Sequence, residues 1–458
     1  MRILLLIILS ITLPACAIYK PADTDHRPAD LPSQFSMYSE KADLSDQWWK
    51  DFDSRELDWL VDEALSGNFT VKEAWARLEQ SRYTARIVGA DKYPELSYQA
   101  GGAVVEKKDT GTARTTSEEW NLGLGASYEV DLWGRVQSET ESADLLAQAS
   151  AEDLKTALMS VAGEIAEKWL SLVSNKQQQK LFTRQLALQK QLLGVIEARF
   201  PLGRSTALDI YQQQQSIEQI ATALIPLQSN EGVLRRQLAL LIGKPLISEN
   251  RFTQESFPIM QDIPAIGLPA DLLAARPDVR AAGLRLKSGE WEIAAAKADR
   301  LPALRLTASH TYTADDIGSI FDNWLLNLAA NLTGPIFDGG RRRLEVERTK
   351  AVVDERIAAY SNTVFAAIKE VEDALAEEEQ YERTMNALAR QLELAGKTTR
   401  VARRRYLYGD SDFLNVLVQE LNILQVQQDM IRARERMLAA RIRLYRALGG
   451  TWVNGYIN

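Results

Sequence analysis

The sequence predicts a mainly α-helical chain that also carries a membrane β-component and is built from one unit used twice. Three observations predict it. Segments of the two halves match at a nearly constant offset. Four stretches alternate apolar and polar residues at strand period. Two long proline-free stretches keep an apolar heptad.

Bulk numbers fit a folded protein. The 458 residues are long for one compact unit, and 46% hydrophobic with 25% charged residues excludes wholesale disorder. Net charge is -8 and no long basic run exists, which argues against nucleic acid as a partner. Cys16 is the single cysteine, so no intrachain disulfide forms. With His26 and His310 as the two histidines, no typical transition-metal site or cofactor is expected; carboxylate sites stay open.

At the N-terminus, Arg2 precedes an apolar run from Ile3 to Leu13, broken by Ser10 and Thr12. It is too short to span a bilayer as a helix but suits a signal peptide over residues 1–15. Leu13-Pro14-Ala15-Cys16 resembles a bacterial lipobox. That resemblance implies cleavage before Cys16 and lipid on its thiol; the other reading is an incidental cysteine. Ala17, not Asp, follows, which in enteric-type sorting implies the outer membrane. No later apolar run is long enough for a transmembrane helix.

The repeat sets the organisation. Asp131-Leu132-Trp133-Gly134-Arg135 answers Phe337-Asp338-Gly339-Gly340-Arg341. Arg199-Phe200-Pro201-Leu202-Gly203 answers Arg405-Tyr406-Leu407-Tyr408-Gly409, and Leu238 to Gly243 answers Leu444 to Gly449. These pairs are 206 residues apart; Ala90 to Pro94 answers Ala298 to Pro302 at 208. An ordered series of this kind marks a duplication.

Each unit holds a predicted hairpin. Trp120, Leu122, Leu124, Ala126, Tyr128, Val130 and Leu132 alternate with polar or small residues, as do Leu304, Leu306, Ala308, His310 and Tyr312. Weaker alternation covers Leu96 to Val104 and Trp324 to Leu332. Strands of roughly 9–11 residues suffice to cross a bilayer when tilted. Four strands cannot close a barrel, and an open edge cannot sit in lipid, so a membrane location demands oligomerisation. Trp120 and Trp324, near strand ends, suit an interfacial aromatic girdle. His310 reads as an interface residue.

The remainder is predicted helix. Val136 to Arg199 and Arg341 to Tyr408 would each be on the order of 100 Å long. Val353, Ile357, Tyr360, Val364, Ala367, Val371 and Ala374 follow 4-3 spacing; Ala147, Ala151, Leu154, Leu158, Val161 and Ile165 do the same, which predicts coiled-coil seams. Turns fall at Gly203 and Gly409, and return helices follow. The boundaries expected are a lipidated linker over 16–41, an equatorial segment over 42–94, a hairpin over 95–133 and a helical hairpin over 134–243. An equatorial segment over 244–270 follows, then a helix over 271–302, a hairpin over 303–337, a second helical hairpin over 338–449 and a tail over 450–458.

No catalytic constellation stands out: there is no nucleophile elbow, Walker loop or dinucleotide fingerprint. Glu377-Glu378-Glu379 and Gln212 to Gln215 read as solvated helix faces. An enzyme is not expected.

Taken together, Gln47-Trp48-Trp49-Lys50-Asp51-Phe52 with Leu57, Leu60, Val61, Ala64, Leu65 and Asn68, the Tyr93-Pro94 strand start, both strand-to-helix corners, both Arg-aromatic-x-x-Gly turns and the terminal Arg443 to Gly450 resemble the outer membrane factor (TolC-type) family, in its lipoprotein branch typified by OprM. The resemblance covers nearly all of the mature chain. It implies a homotrimer with a 12-strand barrel and a 12-helix periplasmic tunnel, anchored in outer-membrane lipid. It implies an exit duct that receives small solutes from a periplasmic adaptor and an inner-membrane pump, proton-driven by preference. A protein-secretion duct with an ATP-driven pump and a non-conducting coiled-coil lipoprotein are the alternatives.

Site residues follow from the same resemblance. Arg199, Phe200, Leu202, Gly203, Arg405, Tyr406, Tyr408 and Gly409 would dock the adaptor, against a plain reading as turn chemistry. A periplasmic gate would use the segment after the second tip: Leu414 at the apolar ring position, with Val418 where relatives often carry aspartate and Asn415 likewise uncharged. Leu208 and Asp209 stand at the equivalent offset, with Asp209 the candidate acid. Ordinary coiled-coil contacts are the alternative reading. The net negative charge implies a preference for cations.

Overall fold

The structure, a computed structural model, describes residues 18–21, 32, 35, 47–108, 110–111, 113–259 and 275–449. Cys16, the signal segment and the tail over 450–458 lie outside them. A short 3-10 turn, Trp48–Phe52, precedes α1 (Arg55–Gly67) and α2 (Phe69–Ala90). Strands β1 (Glu95–Lys107) and β2 (Thr115–Val130) lead to α3 (Arg135–Arg199) and α4 (Ala207–Leu241). The second half repeats the order: α5 (Pro277–Ala298), β3 (Ala303–Ala314), β4 (Trp324–Thr333), α6 (Arg341–Tyr408) and α7 (Phe413–Leu448). The chain is mainly helical with one four-stranded sheet. No described helix is long and apolar enough to cross a membrane.

Two compact units divide the chain. The first takes residues 1–27, 77–151 and 281–362; the second takes 28–76, 152–280 and 363–458. Helices α2, α3, α5 and α6 each have residues in both.

The first unit holds the sheet. Its order is β1-β2-β3-β4, antiparallel throughout, so β1 and β4 are open edges. The register joins Tyr98 to Leu124, Leu124 to His310 and His310 to Leu326. Because side chains alternate along a strand, this register gathers the apolar positions on one face and Ser97, Gln99, Asn121, Ser127, Thr307, Thr311, Asn327 and Asn331 on the other. The apolar face is bare: Tyr98 is 82% exposed and Leu328 71%. Glycines in the sheet make room rather than turns; a Cβ on Gly102 would meet the Trp120 ring at 2.5 Å.

Matched corners join strands to helices. Gly134 and Gly340, equivalent in the repeat, both have positive φ, +78° and +84°. Asp131 accepts the Gln137 N–H at 2.8 Å, and Asp338 accepts the Gly340 and Arg342 N–H groups at 2.9 and 3.3 Å. Acceptor carboxylates here satisfy orphan donors of a new helix.

The second unit packs the coiled-coil seams. Leu154, Leu158, Val161 and Ile165 are buried in α3, as are Val364, Ala367, Val371 and Ala374 in α6. The N-terminal turn closes against α7: Trp48 stacks on Tyr445 at 5.5 Å, and the Tyr445 hydroxyl donates to Asp51 at 2.8 Å. The ends of α4 and α7 are clamped alike. Asn68 donates to Leu241 O at 2.7 Å, and Arg276 to Ala447 O at 3.0 Å, at the repeat offset. Backbones touch there, since a Cβ on Gly243 would lie 2.2 Å from Gly67 O and one on Gly449 would lie 2.9 Å from Ala275 O.

Two sequence expectations are corrected. Glu377-Glu378-Glu379 is not one solvated face: Glu378 is buried against Arg441, Glu377 meets Arg443 and Glu379 meets Arg383. Successive helical residues point about 100° apart, so a run of three must straddle faces. Gln213 is likewise fully buried, with its amide donating to Gln189 O at 2.8 Å and to Gln189 Oε1 at 2.7 Å.

Candidate functional site

The two helical turns come from the same local physics. After α3, Gly203 has φ +64° and Arg204 N–H reaches back to Arg199 O at 3.1 Å. After α6, Gly409 has φ +84° and Asp410 N–H reaches Arg405 O at 2.9 Å. A left-handed residue with a six-to-one bond is the glycine-ended helix stop. The next helices begin differently. Thr206 and Asp209 form a reciprocal capping box, in which Asp209 accepts the Thr206 N–H at 2.8 Å and Thr206 Oγ1 accepts the Asp209 N–H at 3.2 Å. Asp412 makes no side-chain cap, and Asn415 donates instead to Ser411 Oγ at 2.9 Å.

Arg199 ties the tips together. Its guanidinium lies 5.2 Å from the Tyr406 ring centre and donates to Leu407 O at 3.4 Å and to Arg204 O at 3.3 Å. Arg405 closes only its own turn, donating to Asp410 O at 3.3 Å. A cavity of about 910 Å³ lies between the turns, lined by Arg199, Thr206, Asp209, Tyr406, Phe413 and Leu414 among others.

The residues named from the sequence separate into two groups. Phe200, Leu202, Tyr408, Leu208, Leu414, Asn415 and Val418 are exposed, and Gly203 and Gly409 have open space around them. Tyr406 is not a surface residue: it packs with Ile196, Phe413 and Val416, its ring 5.3 Å from Phe413. Burial, and then the Asp209 carboxylate, push the Tyr406 hydroxyl above the ordinary tyrosine range. Leu414, Val418 and Leu421 follow i, i+4, i+7 spacing, and all are exposed, so one face of α7 presents an apolar stripe. Phe413 and Val416 take the opposite, buried face. Tyr211, 68% exposed beside Leu208, is a residue that sequence reasoning missed; its three-residue spacing from Leu208 was the available signal. The Thr206-x-x-Asp209 box was equally legible and was missed.

On the sheet, Trp120 pairs with Ala314 and Trp324 with Tyr312, so the two indoles belong to one end of one face. Trp120 lies inside β2 rather than at its end, because β1 and β2 outrun the second hairpin. Around Trp324, His310 lies at 5.6 Å; Tyr312 is 4.8 Å from His310 and Phe321 5.2 Å from Tyr312. Among the described residues, no group of three or more His, Cys, Asp or Glu is placed to hold a metal ion.

Known proteins share this sequence pattern and this fold. The profile of the outer membrane efflux protein family matches residues 60–244 and 268–450, the two repeats. The pyoverdine export outer membrane protein OpmQ of Pseudomonas aeruginosa is 31% identical over 99% of this chain and 97% of its own. Outer membrane protein OprJ of the same organism is 30% identical over 98% and 96%. Among solved structures, the outer-membrane channel OprN superposes with a TM-score of 0.88 at 26% identity, over 95% of this chain and 100% of that one. The open state of the Neisseria gonorrhoeae MtrE channel gives 0.82 at 25% identity, over 94% and 98%. With its fold, its duplication and nearly its whole length matched, the chain belongs to the outer membrane efflux protein family.

Proposed function

We propose that three copies of this chain close into a twelve-stranded barrel and form the passive exit duct of a tripartite efflux system for small solutes. The observation that carries the reading is the sheet: its apolar face is exposed, and among the described residues both edge strands lack outer partners. Backbone groups left open in lipid cost several kcal/mol each by general reckoning, so the edges must be paired by further copies. Names of relatives, which include pyoverdine export, toluene efflux and antibiotic efflux proteins, support small molecules over proteins as cargo.

In this reading Cys16 carries lipid in the outer membrane. The exposed tip residues Phe200, Leu202 and Tyr408 dock a periplasmic adaptor, which couples the duct to an inner-membrane pump, proton-driven by preference. Arg199 and Tyr406 support those tips from beneath. The stripe of Leu414 and Val418, with Leu208 and Tyr211, forms an apolar gate. Asp209 is a weaker candidate for a gating acid, because its carboxylate is engaged in the helix cap. The subunit itself performs no chemistry and needs no cofactor.

The test is edge cross-linking. Cysteines at Tyr98 on β1 and Leu328 on β4, in a Cys16→Ser background, are joined with a short bifunctional reagent in membranes. A covalent ladder that stops at three is expected. A ladder that stops at two, or no ladder, refutes the trimeric barrel.

A further inference from the structure

Both hairpins of the sheet begin from the same turn. Lys92 N–H donates to Gly89 O at 3.3 Å and Tyr93 N–H to Ala90 O at 2.9 Å; Arg300 N–H donates to Lys297 O at 3.3 Å and Leu301 N–H to Ala298 O at 3.0 Å. The repeat therefore places a cation in the same position twice, four residues before the first apolar-face side chains, Leu96 and Leu304. Lys92 and Arg300 are both exposed, and neither forms an ion pair among the described residues. Several other cations at this end are occupied, Arg135 by Glu129 and Glu139, Arg305 by Glu129, and Arg342 by Asp299, while Arg341 and Arg343 at the second corner are exposed and add to the positive charge there.

The surroundings are amphipathic. Tyr93 is 73% exposed and Phe337 90%. The Trp133 indole donates to Pro302 O at 2.8 Å, two residues from Arg300. Ile18 seats in the notch of Gly134, where a Cβ would meet its Cγ2 at 2.5 Å, and Tyr19 N–H donates to Trp133 O at 3.3 Å. The opposite end of the sheet mixes both signs: Glu106, Glu118 and Glu119 with Lys107, Lys108 and Arg114 on the first hairpin, where Arg114 pairs with Glu106, and Asp315, Asp316 and Asp322 on the second.

We propose that Lys92 and Arg300 bind the phosphates of anionic phospholipids in the inner leaflet of the outer membrane, forming a lipid-selective rim at the helix-side end of the sheet. The inference rests on the reading that the sheet spans a bilayer. An unpaired cation beside exposed aromatic side chains, at the start of an apolar face, matches a headgroup whose acyl chains run along that face. A soluble anion would gain nothing from the apolar face. Six such cations would ring a trimer, one at the start of every second strand.

Tryptophan quenching in reconstituted vesicles tests this, with Trp133 as the nearby reporter. Relative binding of brominated phosphatidylglycerol and brominated phosphatidylcholine is measured for the full-length protein. One cation near an anionic surface is worth about a fivefold preference. The wild type should favour phosphatidylglycerol by about that factor, and Lys92→Gln/Arg300→Gln should bring the ratio near one. Lys92→Arg/Arg300→Lys and the distant Lys190→Gln should keep it. A ratio unchanged by the glutamine pair overturns the proposal. So does suppression of the preference by inorganic phosphate at constant ionic strength, which would mark a soluble-anion site. Conductance in pure phosphatidylcholine tests insertion separately, so a wild type that conducts but shows no preference for phosphatidylglycerol sinks this inference alone.

Discussion

Replacing Arg441 with methionine removes one half of an ion pair that water does not reach. The side chains of Arg441 and Glu378 are 3% and 5% exposed, and Arg441 Nε lies 3.2 and 3.0 Å from the two Glu378 oxygens. Burial by itself would push the guanidinium down; the hydrogen bonds and charge of Glu378 outweigh it and hold it above its ordinary range. With Arg441→Met the carboxylate stays buried without its counter-charge, which costs about 3–5 kcal/mol. The second substitution, Glu378→Leu, removes the stranded charge, and the double variant should return to within about 1 kcal/mol of the parent. Unfolding in denaturant, followed by the helical circular-dichroism signal of detergent-solubilised protein, measures all four corners of the cycle. A single variant that loses less than about 1 kcal/mol, or a double variant as unstable as the single, would refute the reasoning.

Two other substitutions and one mass follow. Gly203→Val and Gly409→Val each force a β-branched residue into positive φ, at a cost of about 1–3 kcal/mol confined to the turn; efflux should fall while trimer remains in the membrane, and unchanged efflux would reject the docking role of the tips. Intact mass of the mature chain should show a diacyl or triacyl adduct at Cys16, and an unmodified thiol rejects the anchor.

Much of this fold was legible because period and punctuation agreed. The helix over Arg341–Tyr408 was bounded by Gly340 before it and Gly409 after it, and both have positive φ. Strand alternation read from Trp120 to Leu132 held as far as Val130, where β2 ends, because one face must be apolar. What failed was azimuth. A run of glutamates or glutamines looks solvated, yet Glu378 and Gln213 are turned inward and find partners on other helices, Arg441 on α7 and Gln189 on α3. Tyr406 looked like a tip residue by position, but the turn rotates it under Arg199 and against Phe413. Such outcomes depend on which helices become neighbours, and spacing within one segment does not specify that. The proposed gate was legible only as a segment; the alternation of buried Phe413 and Val416 with exposed Leu414 and Val418 appears once the helix is packed.

Single-channel recording in planar bilayers tests the central claim, that this chain forms a water-filled duct closed at its tips by an apolar ring. A hydrophobic constriction excludes water, and truncating it removes the barrier. The parent trimer should sit mostly closed, whereas Leu414→Ala should raise resting conductance and give long openings that favour cations over anions. Inserted trimers of both proteins that pass no current would contradict the duct. If Leu414→Ala leaves conductance at the parental level while Asp209→Ala raises it, the acid and not the leucine closes the pore.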